Sequence, residues 1–214
     1  MQQLIELGYI DELTGDKQDR IKKTKDESDF YLARVLIHAK KTSEAIPILK
    51  RIYSENPDVV RYGLRLASCY QALNKKEDLR RVVESLRKKD QTHLPQLDLM
   101  EGTLLLAENK PRKALEFLTK AENFVSHLPY LHIQIGIVYY KIHRWEDAER
   151  AYLKALAIDE NSAIAFHGLG LCYLRQKKYE QATEAFLNAI GLMYYFSEAH
   201  YHLGEALYYL ENYE

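Results

Sequence analysis

The chain has 214 residues, with 30 lysines and arginines against 31 aspartates and glutamates, a formal net charge of −1. That balance excludes a chain-wide basic surface of the kind that holds nucleic acid or an anionic membrane, and no apolar run reaches the roughly 18 residues of a membrane-spanning helix. With 47% hydrophobic residues and only two cysteines, the composition is that of a folded chain built without a disulfide framework.

Residues 1–25 stand apart as a lead-in. Leu4-Ile5-Glu6-Leu7-Gly8-Tyr9-Ile10 is short and apolar, Thr14 to Asp19 is polar and turn-like, and Arg20 to Asp29 is charged, a helical lead-in. From there the chain repeats. Small residues recur at Ala33, Ala67, Gly102, Gly136, Gly170 and Gly204, spaced by 34, 35, 34, 34 and 34. A second column follows at Ala45, Leu79, Ala114, Ala148 and Ala182, and a third at Ile52, Leu86, Ala121, Ala155 and Ala189. A period in this range predicts stacked supersecondary units rather than one closed globule.

The blocks are 26–59, 60–94, 95–128, 129–162, 163–196 and a first helix over 197–214. Each reads as a helical hairpin. In block 129–162, Pro129 opens a helix where its missing N–H costs nothing, and Leu131, Ile135, Tyr139 and Ile142 recur at helical spacing. Lys141 to Arg144 turns, and Trp145-Glu146-Asp147 opens the second helix with acids at its positive end. Ala148, Tyr152, Ala155 and Leu156 give that helix its apolar face. Gly136 and Ala148 are expected where the two helices cross, with Tyr139 and Tyr152 filling the wider gaps beside them. In block 60–94 the bulk of Leu79 and Leu86 is expected to push the hairpin slightly open. Leu203, Gly204 and Leu207 form a last first helix, followed by an expected turn at Asn212-Tyr213-Glu214 and no second helix. This reads as a fragment of a longer protein, whose uncapped C-terminal helix is expected to self-associate.

The pattern resembles the tetratricopeptide repeat family. The likeness is carried by Leu169-Gly170-x-x-Tyr173 with Ala182-x-x-x-Phe186-x-x-Ala189, and by Ile135-Gly136-x-x-Tyr139 with Ala148-x-x-x-Tyr152-x-x-Ala155. Block 95–128 gives Gly102-x-x-Leu105 with Ala114, Leu118 and Ala121. The first two blocks are looser, and Pro57 alone stands at the family's closing proline. The resemblance implies an all-α fold, an α–α superhelix or right-handed solenoid of helical hairpins. It also implies a protein-interaction scaffold, not an enzyme, that takes a peptide or helix of a protein partner in a groove lined by first helices. The Leu4–Ile10 segment with Asp16-Lys17-Gln18-Asp19-Arg20-Ile21 is similar to the closing segment of bacterial sulfatase and alkaline-phosphatase-like hydrolases. That second likeness implies an accessory repeat module, with its catalytic domain upstream.

Catalytic and metal chemistry find little support in the residues. Of eight histidines, only His200 and His202 lie close in sequence, and an i,i+2 pair does not share a helix face. Cys69 and Cys172 occupy one column three blocks apart, on the order of 25–30 Å at ordinary helix spacing, and read as two packed thiols. There is no Gly-rich phosphate loop and no nucleophile elbow. No cofactor or metal is expected. The tight turns carry basic residues: Lys40-Lys41, Lys75-Lys76, Lys110 with Arg112-Lys113, Arg144 and Lys177-Lys178. They read as a solvated ridge or as a contact for an anionic partner.

The resemblance places groove positions on the first helices. The family's carboxylate clamp of Lys and Asn is replaced by Phe30/Arg34, Leu64/Ser68, Leu99/Thr103, Ile133/Ile137 and His167/Leu171, so chaperone-tail binding is not implied. In the C-terminal half the groove is apolar and aromatic: Tyr130, Ile133, Ile137, Tyr140, Lys141, His167, Leu171, Arg175, Tyr201 and Tyr208 form the candidate partner site. No nucleic-acid or membrane partner is expected.

Overall fold

A computed structural model describes residues 15–89 and 94–213. Among them there are eleven helices and no strand: α1 (Gly15–His38), α2 (Thr42–Glu55), α3 (Val60–Ala72), α4 (Lys76–Lys89), α5 (Pro95–Ala107), α6 (Pro111–Val125), α7 (Pro129–Lys141), α8 (Trp145–Ile158), α9 (Ala163–Arg175), α10 (Tyr179–Leu192) and α11 (Ser197–Tyr213). The Leu4–Ile10 segment and Thr14 lie outside the described residues, and with them most of the hydrolase-like likeness. Contacts divide the chain into two units, residues 1–89 and 90–214. Each is a stack of antiparallel helical hairpins.

One backbone feature closes every hairpin. Lys40, Asn74, Asn109, His143 and Lys177 have left-handed φ of 53–61°, one per block at the repeat spacing. At each, two hydrogen bonds fold the chain back over the helix end. At the third, Lys110 N–H donates to the Leu105 carbonyl at 2.9 Å and Asn109 N–H to the Leu106 carbonyl at 3.0 Å. This is the paired 6→1 and 5→2 pattern that satisfies the last carbonyls of a helix. Glycine usually fills the left-handed site because it has no Cβ; here no turn uses it.

In the first unit, α1 is one continuous helix from Gly15, so Gly15 to Asp19, read from sequence as turn-like, are helical. Arg51 of α2 ties α1 down by pairing with Asp26 at 3.2 Å and with Asp29. Asn56 donates from its amide to the same buried Asp26 at 2.9 Å. Glu27 of α1 accepts from the Tyr62 hydroxyl at 2.8 Å and pairs with Arg61, fixing α3. Leu79 and Leu86 are fully packed. Gly63 opposite makes room for Leu86: a Cβ there would stand 2.8 Å from Leu86 Cδ2 and from Tyr53 Cε2.

In the second unit, Leu118, Leu131 and Val138 fill the first hairpin interface. Tyr152 of α8 fills the next. Its ring lies directly on the glycines rather than in a gap beside them: a Cβ on Gly136 would come 2.8 Å from Tyr152 Cε1, and one on Gly168 of the following block would come nearer still to Cζ. One aromatic ring is therefore seated between α7 and α9. Phe186 repeats the arrangement on Gly170, at 2.6 Å. Gly204 of α11 has nothing within 4 Å of its Cβ position. α11 also continues as helix through Asn212 and Tyr213, where the repeat predicted a turn. Among the described residues no second helix folds back on it to require the reversal.

Candidate functional site

In the second unit the first helices α7, α9 and α11 touch one another in succession, so their exposed residues form one face. Their periodicity dictates which residues those are. Leu131, Ile135 and Val138 of α7 point into the hairpin core, while Tyr130, Ile137, Tyr140 and Lys141 fall toward the other side. Tyr130, Tyr201 and Tyr208 are 44%, 72% and 64% exposed. Lys141 and Arg175, one repeat apart, are also exposed.

Two side-chain groups shape this face. At the turn end, Arg175 Nε–H donates to the Tyr140 hydroxyl at 3.1 Å, joining α9 to α7. That bond and the charge interaction with Tyr140 hold the Arg175 guanidinium above its ordinary pKa, against the downward pull of burial and with a smaller upward pull from Glu205. The Tyr140 ring also packs on Trp145 of α8, with centroids 5.1 Å apart. At the other end, His167 sits half-buried against Phe186, Phe196 and His202, at 5.7, 4.7 and 5.4 Å between ring centroids. Burial and, less strongly, the neighbouring His202 push the His167 pKa down to about 4, against a smaller upward pull from Glu198. His167 is thus a neutral, aromatic member of the packing. His202 faces Glu205 at 3.2 Å and meets Tyr201 edge-on.

The sequence-derived site residues do not all stand alike. Ile133 is 8% exposed and belongs to the core cluster of Ala148, Tyr152, Ala165 and Leu169. Ile137 and Leu171 are half-buried and pack on the clusters flanking them. These three support the face from below. Tyr130, Lys141, Arg175, Tyr201 and Tyr208 remain at the surface, with the half-buried Tyr140 and His167 between the two layers. Sequence reasoning passed over Trp145, Phe196 and His202, which orient Tyr140 and His167. For His202 the signal is the repeat register, since it follows Gly168 by 34 residues and places a ring where a glycine stood.

The histidines are not all at the surface. His132 is buried, and its Nε2–H donates to the Ser126 carbonyl at 2.7 Å, closing the start of α7. Among the described residues no group of three or more His, Cys, Asp or Glu side chains could hold a metal, and no helix is long and apolar enough to cross a membrane. Cys69 and Cys172 are both buried free thiols. Burial, then Glu149, pushes the Cys172 pKa up to about 12, far from a reactive thiolate.

Stacked helical hairpins with a recurrent small-residue crossing, each closed by a left-handed turn, define a helical-repeat protein of the solenoid class. The chain belongs to the tetratricopeptide repeat family, two of whose models match residues 36–101 and 129–193, together more than half its length. No curated protein matches it. Among solved structures it is similar to TTC0263, a thermophilic TPR protein of Thermus thermophilus, at 18% identity and a TM-score of 0.65, covering 85% of this chain and 98% of that one. It is also similar to YrrB, a TPR protein with an unusual peptide-binding site, at 17% identity and a TM-score of 0.61, covering 86% and 95%. A third likeness is to the APC/C hetero-tetramer Cut9–Hcn1, at 17% identity and a TM-score of 0.75, covering 82% of this chain and 35% of that one. At these identities the likeness concerns the fold. Tetratricopeptide arrays are protein-interaction scaffolds, and the fold assigns this chain to that class.

Proposed function

We propose that the second unit binds a peptide or helix of a partner protein on the face of α7, α9 and α11. The observation that carries this reading is the run of exposed tyrosines, Tyr130, Tyr201 and Tyr208, on first helices of the stack. Tyrosines offer large amphipathic contact area with only two side-chain torsions to order, so they bind at low entropic cost. The Tyr140–Arg175 bond holds a cation beside that surface in one orientation. The peptide-binding site named for YrrB, on the same fold, is consistent with such a use.

Capture from an extract of the source cells tests the reading. Replacing Tyr130, Tyr201 and Tyr208 together by Ser is expected to remove the partner, while Leu153→Ser with Leu187→Ser on the second helices leaves it bound. Retention of every partner by the triple variant contradicts the proposal. Exposed tyrosines suit this test better than His167, whose loss also disturbs the packing of Phe186 and Phe196.

A second reading rests on α11. The face that its counterparts turn to a second helix carries Leu203, Gly204 and Leu207, with Leu207 exposed and Gly204 unopposed. This favours association of two copies through α11. Light scattering of the protein is expected to give a dimer mass that Leu207→Glu reduces to a monomer, and a monomer at all concentrations counts against it.

A further inference from the structure

We propose that the cleft between the α5–α6 and α7–α8 turns of the second unit binds an acidic peptide segment of a partner protein. It does not depend on the aromatic face, with which it shares only Lys141. The cleft measures about 440 Å³, with Pro111 and Ile142 as aliphatic surface and Lys110, Arg112, Lys113 and Lys141 around them. No carboxylate lines it.

Several basic side chains at or beside the other turns are answered by an acid: Lys41 by Glu44 at 3.7 Å, Lys178 by Glu149 at 3.3 Å, and Arg144 by Asp147. In the cleft, Lys110 pairs with Glu108 at 2.8 Å. Arg112, Lys113 and Lys141 have no ion-pair partner among the described residues. The sequence around them points the same way. Second helices α2, α4, α8 and α10 each carry an acid in the first turn, whereas α6 carries none and has Arg112 and Lys113 there instead. Cations at a helix start oppose the helix dipole, so local stability does not explain them. With the whole chain at −1, this is a local concentration of positive charge and not a bulk property.

The chemistry that fits is a short run of Asp and Glu side chains. Three unpaired cations at the rim meet carboxylates, and the aliphatic surface accepts their methylene stems. A nucleic-acid duplex calls for a longer basic stripe than the cleft provides.

The probe is a fluorescein-labelled deca-glutamate peptide, followed by anisotropy at low ionic strength, where such contacts are least screened. Two triple variants are compared with the unaltered protein: Arg112→Ser/Lys113→Ser/Lys141→Ser in the cleft, and Lys23→Ser/Lys25→Ser/Lys75→Ser on the first unit, which removes equal charge. The cleft variant is expected to weaken binding by about tenfold or more, and the control by less than about threefold. Equal weakening in both variants, no binding by the unaltered protein, or equally strong competition by a single-stranded oligonucleotide of the same charge overturns the proposal. Thermal melts matching the unaltered protein show that the exposed substitutions leave the fold intact. Because Tyr130, Tyr201 and Tyr208 are untouched, failure here leaves the aromatic-face reading standing.

Discussion

Gly168 shows how much one side chain decides. Alanine is the better helix former by about 1 kcal/mol, so propensity alone favours Gly168→Ala. The ring of Tyr152 lies well inside van der Waals contact of the added Cβ, and that ring cannot withdraw because Gly136 holds its other side. The expected result is a net destabilisation of about 1–3 kcal/mol, read from urea melts. Gly204→Ala, with open space at its Cβ, is expected to gain up to about 1 kcal/mol in the same assay. A gain in both would remove Tyr152 from its place between the helices. His167 gives a second residue-scale test. Its pKa is about 4 in the folded chain against 6.5 for the free side chain. Between those values the unfolded chain binds the extra proton, so stability is full above about pH 6.5 and falls as pH drops toward 4. His167→Gln removes this share, so its melting temperature is expected to fall less between pH 7 and pH 5 than that of the unaltered protein. An equal fall means that other groups set the dependence.

At the scale of elements, the helices themselves were legible from the columns of small residues and from the prolines at Pro95, Pro111 and Pro129, which stand in the first turns of α5, α6 and α7. The turns were legible only in part. Asn74, Asn109 and His143 are residue types enriched in left-handed backbone, but Lys40 and Lys177 give no such sign. Their conformation is set by the two closing hydrogen bonds and by the hairpin that follows. Lys177→Gly is therefore expected to stabilise the second unit by about 0.5–1 kcal/mol, by relieving the Cβ penalty. Lys177→Val is expected to destabilise it, since a branched side chain suffers most there. The reverse order in thermal melts would show that the turn is not held left-handed. The candidate site was legible in outline for the same reason as the helices: a fixed register says which residues leave the hairpin core. It could not say that Ile133 is covered, because that depends on Tyr152 and Leu169 closing over it from α8 and α9. Nor could it show Tyr140 bonded to Arg175, a contact across 35 residues.

For the molecule as a whole, the two faces of a hairpin stack make different offers. Second helices expose isolated apolar residues such as Leu153 and Leu187 among charged ones, an ordinary solvated surface. In the second unit the first helices α7 and α11 expose tyrosines, with the oriented Arg175 of α9 between them. In a helical-repeat protein each unit contacts only its neighbours, so a surface built this way extends one repeat at a time. The most direct measurement is site-specific photo-crosslinking, with benzoylphenylalanine placed in turn at Tyr201, Tyr208, Leu153 and Leu187 and the protein exposed to an extract of its source cells. Crosslinks to one discrete partner from positions 201 and 208, with none from 153 and 187, are the expected result. The same partner captured mainly from positions 153 and 187 would place the interaction on the second helices and contradict the binding face described here.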